Sequence, residues 1–209
     1  MKIYAISGLG ADKRVFEYLE LHHELIPIEW IEPLPKESLS SYARRLAQVI
    51  DIQEEFGLLG VSFGGMVAVE ISKLFRPKIT ILVASAETRQ ELRWIYRGVD
   101  KANILRFFPK GAFHVSIRLA WILFGTRNPI LKEILDDTDP AFAKWAAAAI
   151  SQWDNQERIP NCLKISGSKD LILPPKDQNV VRIEGAKHFM IVDRAGEISR
   201  LINLELGAL

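Results

Sequence analysis

One serine of the sequence has the surroundings that a nucleophile requires. Ser62 lies between Gly60 and Gly64 in the stretch LLGVSFGGM, where a strand-like apolar run gives way to a helix-like pattern. A sharp strand-to-helix turn strains the serine backbone, and glycines two residues before and after it avoid the clashes that side chains would make. A simple turn serine is the alternative interpretation. The strand-turn-helix context favours the nucleophile.

A serine hydroxyl is a weak nucleophile at neutral pH, so it needs a base and a group that orients the base. Among the four histidines, His188 follows the last predicted strand in GAKHFM, and Asp170 follows the preceding strand in GSKD. Open α/β sheets place their sites at the carboxyl ends of the strands. We therefore expect Ser62, His188 and Asp170 to meet there as nucleophile, base and acid.

The elements that must position these residues alternate between strands and helices. Strand patterns cover 3–7, 25–31, 56–61, 78–84, 163–166 and 180–183, and helical patterns cover 13–20, 39–50, 64–75 and 196–204. This alternation predicts an α/β fold with about six mainly parallel strands, right-handed crossovers and helices on both faces. We expect one domain over residues 1–209.

Between the fourth and fifth strands the alternation stops. Residues 87–150 carry helix-type patterns rich in large aromatics, which predicts a small helical cap. Such a cap packs on the body and also lines the substrate pocket. We expect substrate contacts from a set of four aromatic side chains: Trp94, Phe108, Trp121 and Trp145.

Four basic residues of the predicted cap recur every fourth position, and they are Arg89, Arg93, Arg97 and Lys101. This spacing places them on one face of a predicted helix. A solvated face is the favoured interpretation. The alternative is that one arginine binds a carboxylate or phosphate of the substrate.

With its order of nucleophile, acid and histidine, the chain resembles the α/β-hydrolase superfamily. The resemblance spans the whole chain: a Gly-rich loop after the first strand, the serine turn, the insertion, G-x-x-D before proline, and a histidine before the last helix. It implies a three-layer α/β-hydrolase fold and a cofactor-free serine hydrolase that forms an acyl-enzyme on a small ester or related acyl substrate. Two alternatives stay open, a carbon-carbon bond hydrolase or lyase with the same triad and a low-turnover small-molecule sensor.

The resemblance also implies an oxyanion hole and a rival for the acid. The backbone N–H groups of Leu9 and Phe63 would form the hole, although this chain has Ser7-Gly8 where many relatives have His-Gly. Some members of the superfamily take their acid from the end of an earlier strand, where this chain has Glu87. Asp170, which follows the later strand, is favoured over Glu87 as the acid. A serine nucleophile argues against the haloalkane dehalogenases and epoxide hydrolases.

Charge and composition argue against several other classes of protein. The formal net charge is +1 and no block of like charge occurs, so we expect no nucleic-acid or membrane partner. The start MKIYAISGLG has no signal-peptide core, and the single cysteine, Cys162, lies in a strand-like run where a buried, unreactive thiol is expected. These features predict a cytoplasmic protein. The expected partner is a small ester-like molecule, and a homo-oligomer stays open.

No pattern of metal ligands stands out. His22 and His23 are adjacent, so in a helix or strand they point in different directions. Asp136, Asp137 and Asp139 lack the glycine and terminal glutamate of a calcium loop. We therefore predict no metal and no cofactor.

Overall fold

Six strands form one parallel sheet in the computed structural model, which describes residues 1–96 and 116–209. The order across the sheet is β2-β1-β3-β4-β5-β6, and each neighbouring pair is parallel. The strands are β1 (Lys2–Ile6), β2 (Glu24–Ile28), β3 (Phe56–Val61), β4 (Ile79–Val83), β5 (Cys162–Gly167) and β6 (Val181–Ile183). Every residue of β3 and β4 is buried, as expected for central strands covered on both faces. All six carboxyl ends therefore lie at one edge.

Helices cover both faces of the sheet, which confirms the predicted three-layer arrangement. They are α1 (Leu39–Leu46), α2 (Phe63–Phe75), α3 (Ile117–Phe124), α4 (Pro129–Asp137), α5 (Pro140–Gln152), α6 (Met190–Asp193) and α7 (Ala195–Leu206). One core joins the sheet to α1, α2 and α5 through residues such as Tyr42, Met66 and Phe142. The other joins it to α6 and α7 through Ile191 and Ile198. Among residues 1–96 and 116–209, no helix has the length and apolar character needed to cross a bilayer.

The helical pattern over 13–20 and the strand pattern over 25–31 both extend beyond the elements that form. The helical pattern over 13–20 forms only a 3-10 turn, Lys13–Phe16, after which the chain turns so that the Glu20 N–H reaches the hydroxyl of Ser199. The second strand ends at Ile28 instead of residue 31. The indole N–H of Trp30, two residues after this strand, donates to the carbonyl of Ala11.

The predicted cap lies between β4 and β5, and its described part contains α3, α4 and α5. Capping side chains begin each of these helices: Ser116 before α3, Asn128 before α4 and Asp139 before α5. Predicted cap residues Arg97, Lys101 and Phe108 lie outside the described residues.

Candidate active site

Ser62 lies at the turn between β3 and α2, in a backbone conformation that side chains rarely adopt. Its φ is 52° and its ψ is −119°, and its N–H donates to the carbonyl of Val83 at 2.9 Å. A Cβ at Gly60 would lie 2.4 Å from the Gly65 Cα, and a Cβ at Gly64 would lie 2.1 Å from the Ser7 carbonyl oxygen. Only glycine fits these two positions, so the sequence enforces the strained turn that exposes the serine.

Hydrogen bonds connect the three predicted triad residues. The Ser62 Oγ lies 2.9 Å from Nε2 of His188, and Nδ1 of His188 lies 2.7 Å from Oδ2 of Asp170. A carboxylate only accepts hydrogen bonds, so the neutral imidazole carries its proton on Nδ1 and leaves Nε2 to accept from the serine hydroxyl. This arrangement can remove a proton from the hydroxyl during nucleophilic attack.

The aspartate and the histidine come together because two loops at the edge of the sheet pack backbone against backbone. Lys169 N–H donates to the carbonyl of Ala186 at 2.9 Å, and a Cβ at Gly167 would lie 2.3 Å from that carbonyl oxygen. In GSKD, Gly167 stands three residues before the acid, and it is the glycine of the G-x-x-D pattern. Both Asp170 and His188 are buried.

The rival acid, Glu87, is engaged elsewhere. Its buried carboxylate accepts from the Ile159 N–H at 2.9 Å, from Arg158 at 2.9 Å and from Lys164 at 3.3 Å. The structure therefore brings Asp170, and not Glu87, to the histidine.

Glu87 belongs to a buried ionic cluster that the sequence did not reveal. Its carboxylate and those of Glu91 and Asp177 have ligand-type oxygens within 4.8 Å of one another. The ammonium group of Lys164 contacts all three, at 3.3, 2.8 and 2.8 Å. Hydrogen bonds from Lys164 and Arg158 hold the pKa of Asp177 well below its usual range. The lysine thus lies where a bound cation would otherwise lie.

The two predicted oxyanion donors flank the serine. Phe63 is the first residue of α2, so its N–H has no acceptor within the helix, and the positive end of the helix dipole lies there. Leu9 lies in a turn that a hydrogen bond from Ala11 N–H to the Gly8 carbonyl closes at 3.0 Å. A Cβ at Gly8 would lie 3.5 Å from the Cβ of Ser62, so this turn packs directly against the nucleophile.

A cavity of about 310 Å³ opens in front of the serine. Its lining includes the serine and histidine of the hydrogen-bond chain, Leu9, Phe63 and aliphatic residues of α4 such as Leu131 and Ile134. In the part of the chain that the structure describes, no Lys, Arg, Asp or Glu side chain lines this cavity.

Two aromatic residues of the cap segment line the same cavity. The ring of Phe124 packs edge-on against the imidazole of His188, with ring centroids 5.5 Å apart. Tyr96 is the second, and burial raises the pKa of its phenol. The segment predicted to form the cap therefore contacts the base directly.

The predicted substrate-contacting tryptophans are not among the cavity residues. Trp94 is 75% exposed, and the guanidinium of Arg127 lies over the ring of Trp121 at 5.7 Å. Trp145 packs against Tyr42 at 4.4 Å between ring centroids and donates from its indole N–H to the Glu37 carbonyl. Trp145 thus attaches its helix to the body of the protein, while aliphatic residues line most of the cavity. Phe108, the fourth predicted contact, lies outside the described residues.

The prediction that Arg89 and Arg93 lie on one face of a helix is wrong. Arg89–Glu91 forms a single 3-10 turn, and Leu92 then becomes extended at φ −64° and ψ 148°. The Arg89 guanidinium donates to the carbonyls of Ser151 and Trp153, and that of Arg93 donates to the Leu171 carbonyl. These arginines connect segments that are distant in sequence.

Solved structures share this architecture over nearly their whole length. An enol-lactonase from Burkholderia xenovorans superposes with a TM-score of 0.73 at 18% identity, covering 99% of this chain and 91% of its own. A thermophilic esterase from Thermogutta terrifontis has a TM-score of 0.69 at 16% identity, with 100% and 90% covered. The chain has the α/β-hydrolase fold.

Another α/β-hydrolase structure, the thioesterase RedJ of the prodiginine pathway in Streptomyces coelicolor, has a TM-score of 0.67 at 15% identity, covering 98% of this chain and 90% of its own. No protein-family model matches the chain, and no curated protein sequence is significantly similar to it. One α/β-hydrolase fold hosts many reactions, so the chemistry follows from the side chains of the site.

Proposed function

We propose that the protein is a cofactor-free serine hydrolase that cleaves a small ester or related acyl bond. The observation that carries this proposal is the continuous hydrogen-bond chain from Asp170 through His188 to Ser62, next to an apolar cavity. All three side chains have the chemistry and the contacts that acyl transfer needs.

In the proposed reaction, His188 Nε2 takes the hydroxyl proton of Ser62 as Oγ attacks the carbonyl carbon of the substrate. The N–H groups of Phe63 and Leu9 stabilise the oxygen that becomes negative. The imidazolium then gives its proton to the leaving alcohol or thiol, which departs as the acyl-enzyme forms. A water molecule attacks the acyl group, its proton passes to His188, and the free acid leaves as Ser62 regains its proton. Asp170 keeps the imidazole oriented and stabilises its charged form.

The cavity supports an apolar acyl group as the bound part of the substrate. Its volume of about 310 Å³ is at the lower end of small-molecule sites. Its aliphatic lining favours a hydrocarbon chain, because a charged acyl chain would lose its hydration without gaining a partner. We therefore infer that the enzyme prefers neutral aliphatic esters or thioesters over those of dicarboxylic acids.

A fluorophosphonate probe tests the proposal, because it reacts covalently with an activated serine. The wild-type protein is expected to be labelled at Ser62, and the Ser62→Ala and His188→Ala variants are expected to lose labelling. Ser41→Ala, which removes an exposed hydroxyl on α1, is the matched control and is expected to label like wild type. A folded wild-type protein that stays unlabelled would overturn the hydrolase proposal and favour the sensor. Labelling without turnover of any ester would favour cleavage of a carbon-carbon bond.

A further inference from the structure

Trp30 contacts both segments that supply the proposed oxyanion donors. Its indole N–H donates to the carbonyl of Ala11 at 2.9 Å, in the turn that carries Leu9. Its ring stacks on the ring of Phe63, with centroids 5.7 Å apart and planes 29° apart. Trp30 follows β2, far from either donor in sequence, and none of the catalytic steps above uses it.

The Ala11 carbonyl is one anchor of the turn, and the Gly10 carbonyl, which accepts from the hydroxyl of Thr138 at 3.2 Å, is another. The Ala11 carbonyl accepts a second hydrogen bond from the buried hydroxyl of Ser7 at 2.7 Å. Ala11 N–H also closes the turn by donating to Gly8 at 3.0 Å. Holding this one peptide therefore limits the position of the whole Gly8–Ala11 turn, and with it the direction of the Leu9 N–H.

The second contact of Trp30, the stacking of its ring on Phe63, concerns the other oxyanion donor. Phe63 is the first residue of α2, so the position of its N–H depends on how its buried ring is held. That ring lies in a cluster with Trp30, Phe142 and Trp145. Within this cluster the Trp30 ring stacks on it, whereas the rings of Phe142 and Trp145 meet it edge-on. Trp30 thus donates a hydrogen bond to the turn that carries Leu9 and stacks on the ring of Phe63, so it contacts both segments that supply oxyanion donors.

We propose that Trp30 is a positioning residue for the oxyanion hole, a role that rests on the proposed hydrolase function. Donors of an oxyanion hole stabilise charge that exists only in the transition state, so their misplacement lowers kcat more than it raises KM. Loss of one whole donor costs about 10²–10³ in kcat, and a displaced donor costs part of that. Removal of the indole N–H should therefore lower kcat by roughly tenfold or more with KM changed by less than about threefold.

The test compares Trp30→Phe with Trp145→Phe, using p-nitrophenyl butyrate as substrate. Both variants lose an indole N–H from the same aromatic cluster, but the Trp145 indole donates to the Glu37 carbonyl, outside the Gly8–Ala11 turn. We expect the fall in kcat only in Trp30→Phe, together with a matching fall in the rate constant for fluorophosphonate inactivation. Equal effects in the two variants would reduce Trp30 to a packing residue and overturn the proposal.

A second replacement keeps the test valid if Trp30→Phe does not fold. Incorporation of 3-benzothienylalanine at position 30 keeps the bicyclic ring and removes only the N–H. The same selective loss of kcat is expected, and unchanged kcat would overturn the hydrogen-bond role. Failure of the hydrolase function itself is distinguishable, because the wild-type protein would then fail to react with the probe at all.

Discussion

The Asp170 carboxylate and the His188 imidazole form a 2.7 Å contact between two loops that follow neighbouring strands. The second oxygen of the carboxylate, Oδ1, accepts from the N–H groups of Ile172 and Leu173 at 2.8 and 2.9 Å. These two amides prevent the carboxylate from rotating, so Oδ2 stays directed at Nδ1. The geometry orients the imidazole toward Ser62 before any substrate binds.

Replacing Asp170 with asparagine is expected to reduce ester turnover by about 10³–10⁴-fold, because the amide can donate to Nδ1 and favour the wrong tautomer. Glu87→Gln is the comparison, since Glu87 lies in the ionic cluster and not beside the histidine. It is expected to lower the free energy of unfolding while turnover per folded molecule stays near wild type. Steady-state kinetics with urea denaturation separates the two effects. Equal loss of turnover in Glu87→Gln would contradict the assignment of the acid.

Gly64→Ala is expected to abolish activity and strongly destabilise the protein, because its Cβ would lie 2.1 Å from the backbone oxygen of Ser7. Backbone atoms cannot move away as a flexible side chain would. Gly196→Ala, near the start of α7, is the control: nothing lies within 4 Å of that added Cβ. It should keep full activity and change stability by no more than about 1 kcal/mol. Thermal unfolding measures the stability of each variant, and probe labelling measures its activity. A stable, active Gly64→Ala variant would contradict the geometry of the turn.

Lys164→Met is expected to cost about 3–5 kcal/mol of unfolding free energy at pH 7, since it leaves buried carboxylates without their cation. Lys2→Met, which breaks an exposed pair with Glu54, is the control and should have little effect.

The same variant should change how stability depends on pH. Hydrogen bonds from Lys164, and then from Arg158, lower the pKa of Asp177 in the folded state. A lowered carboxyl pKa contributes stability above its unfolded value near 4, and this contribution is lost as the pH falls toward the folded pKa. Wild type should therefore lose more stability than Lys164→Met between pH 6 and pH 3 in urea denaturation. Parallel pH profiles would show that the lysine does not set this pKa.

The cavity predicts a limit on the length of the acyl chain. Ala143 of α5 lines the cavity, so Ala143→Leu should shift the longest accepted p-nitrophenyl ester to a shorter chain. Ala149→Leu adds the same volume on the same helix at a buried position that does not line the cavity. It should lower stability while the chain-length preference stays the same. If both variants accepted the same longest p-nitrophenyl ester, the acyl chain would bind elsewhere.

Cys162 at the start of β5 is expected to react slowly with iodoacetamide. Burial, with a further contribution from Glu87, raises the pKa of its thiol to about 12, so little thiolate exists at pH 8. Alkylation followed by mass spectrometry should show little modification of the folded protein and full modification in urea. Rapid alkylation of the folded protein would contradict this environment.

The order of elements and the residues of the site could be predicted from the chain alone because both leave local signals. The fully apolar β3 ends at the glycines around Ser62, and Asp170 and His188 each follow a strand of the same sheet. Periodicity and chain direction therefore indicate that the three side chains share one edge.

Only the tertiary structure decided which side chains surround that chemistry. Helical spacing marks Trp94, Trp121 and Trp145 as apolar, but it cannot tell whether they contact the body, the solvent or the cavity. The contacts of Lys164 with three carboxylates, and of Trp30 with Ala11 and Phe63, join segments that are distant in sequence. Local pattern specifies strands and turns, because backbone sterics and burial act over a few residues. The partner of a side chain depends on how the layers pack, and that is a property of the whole fold.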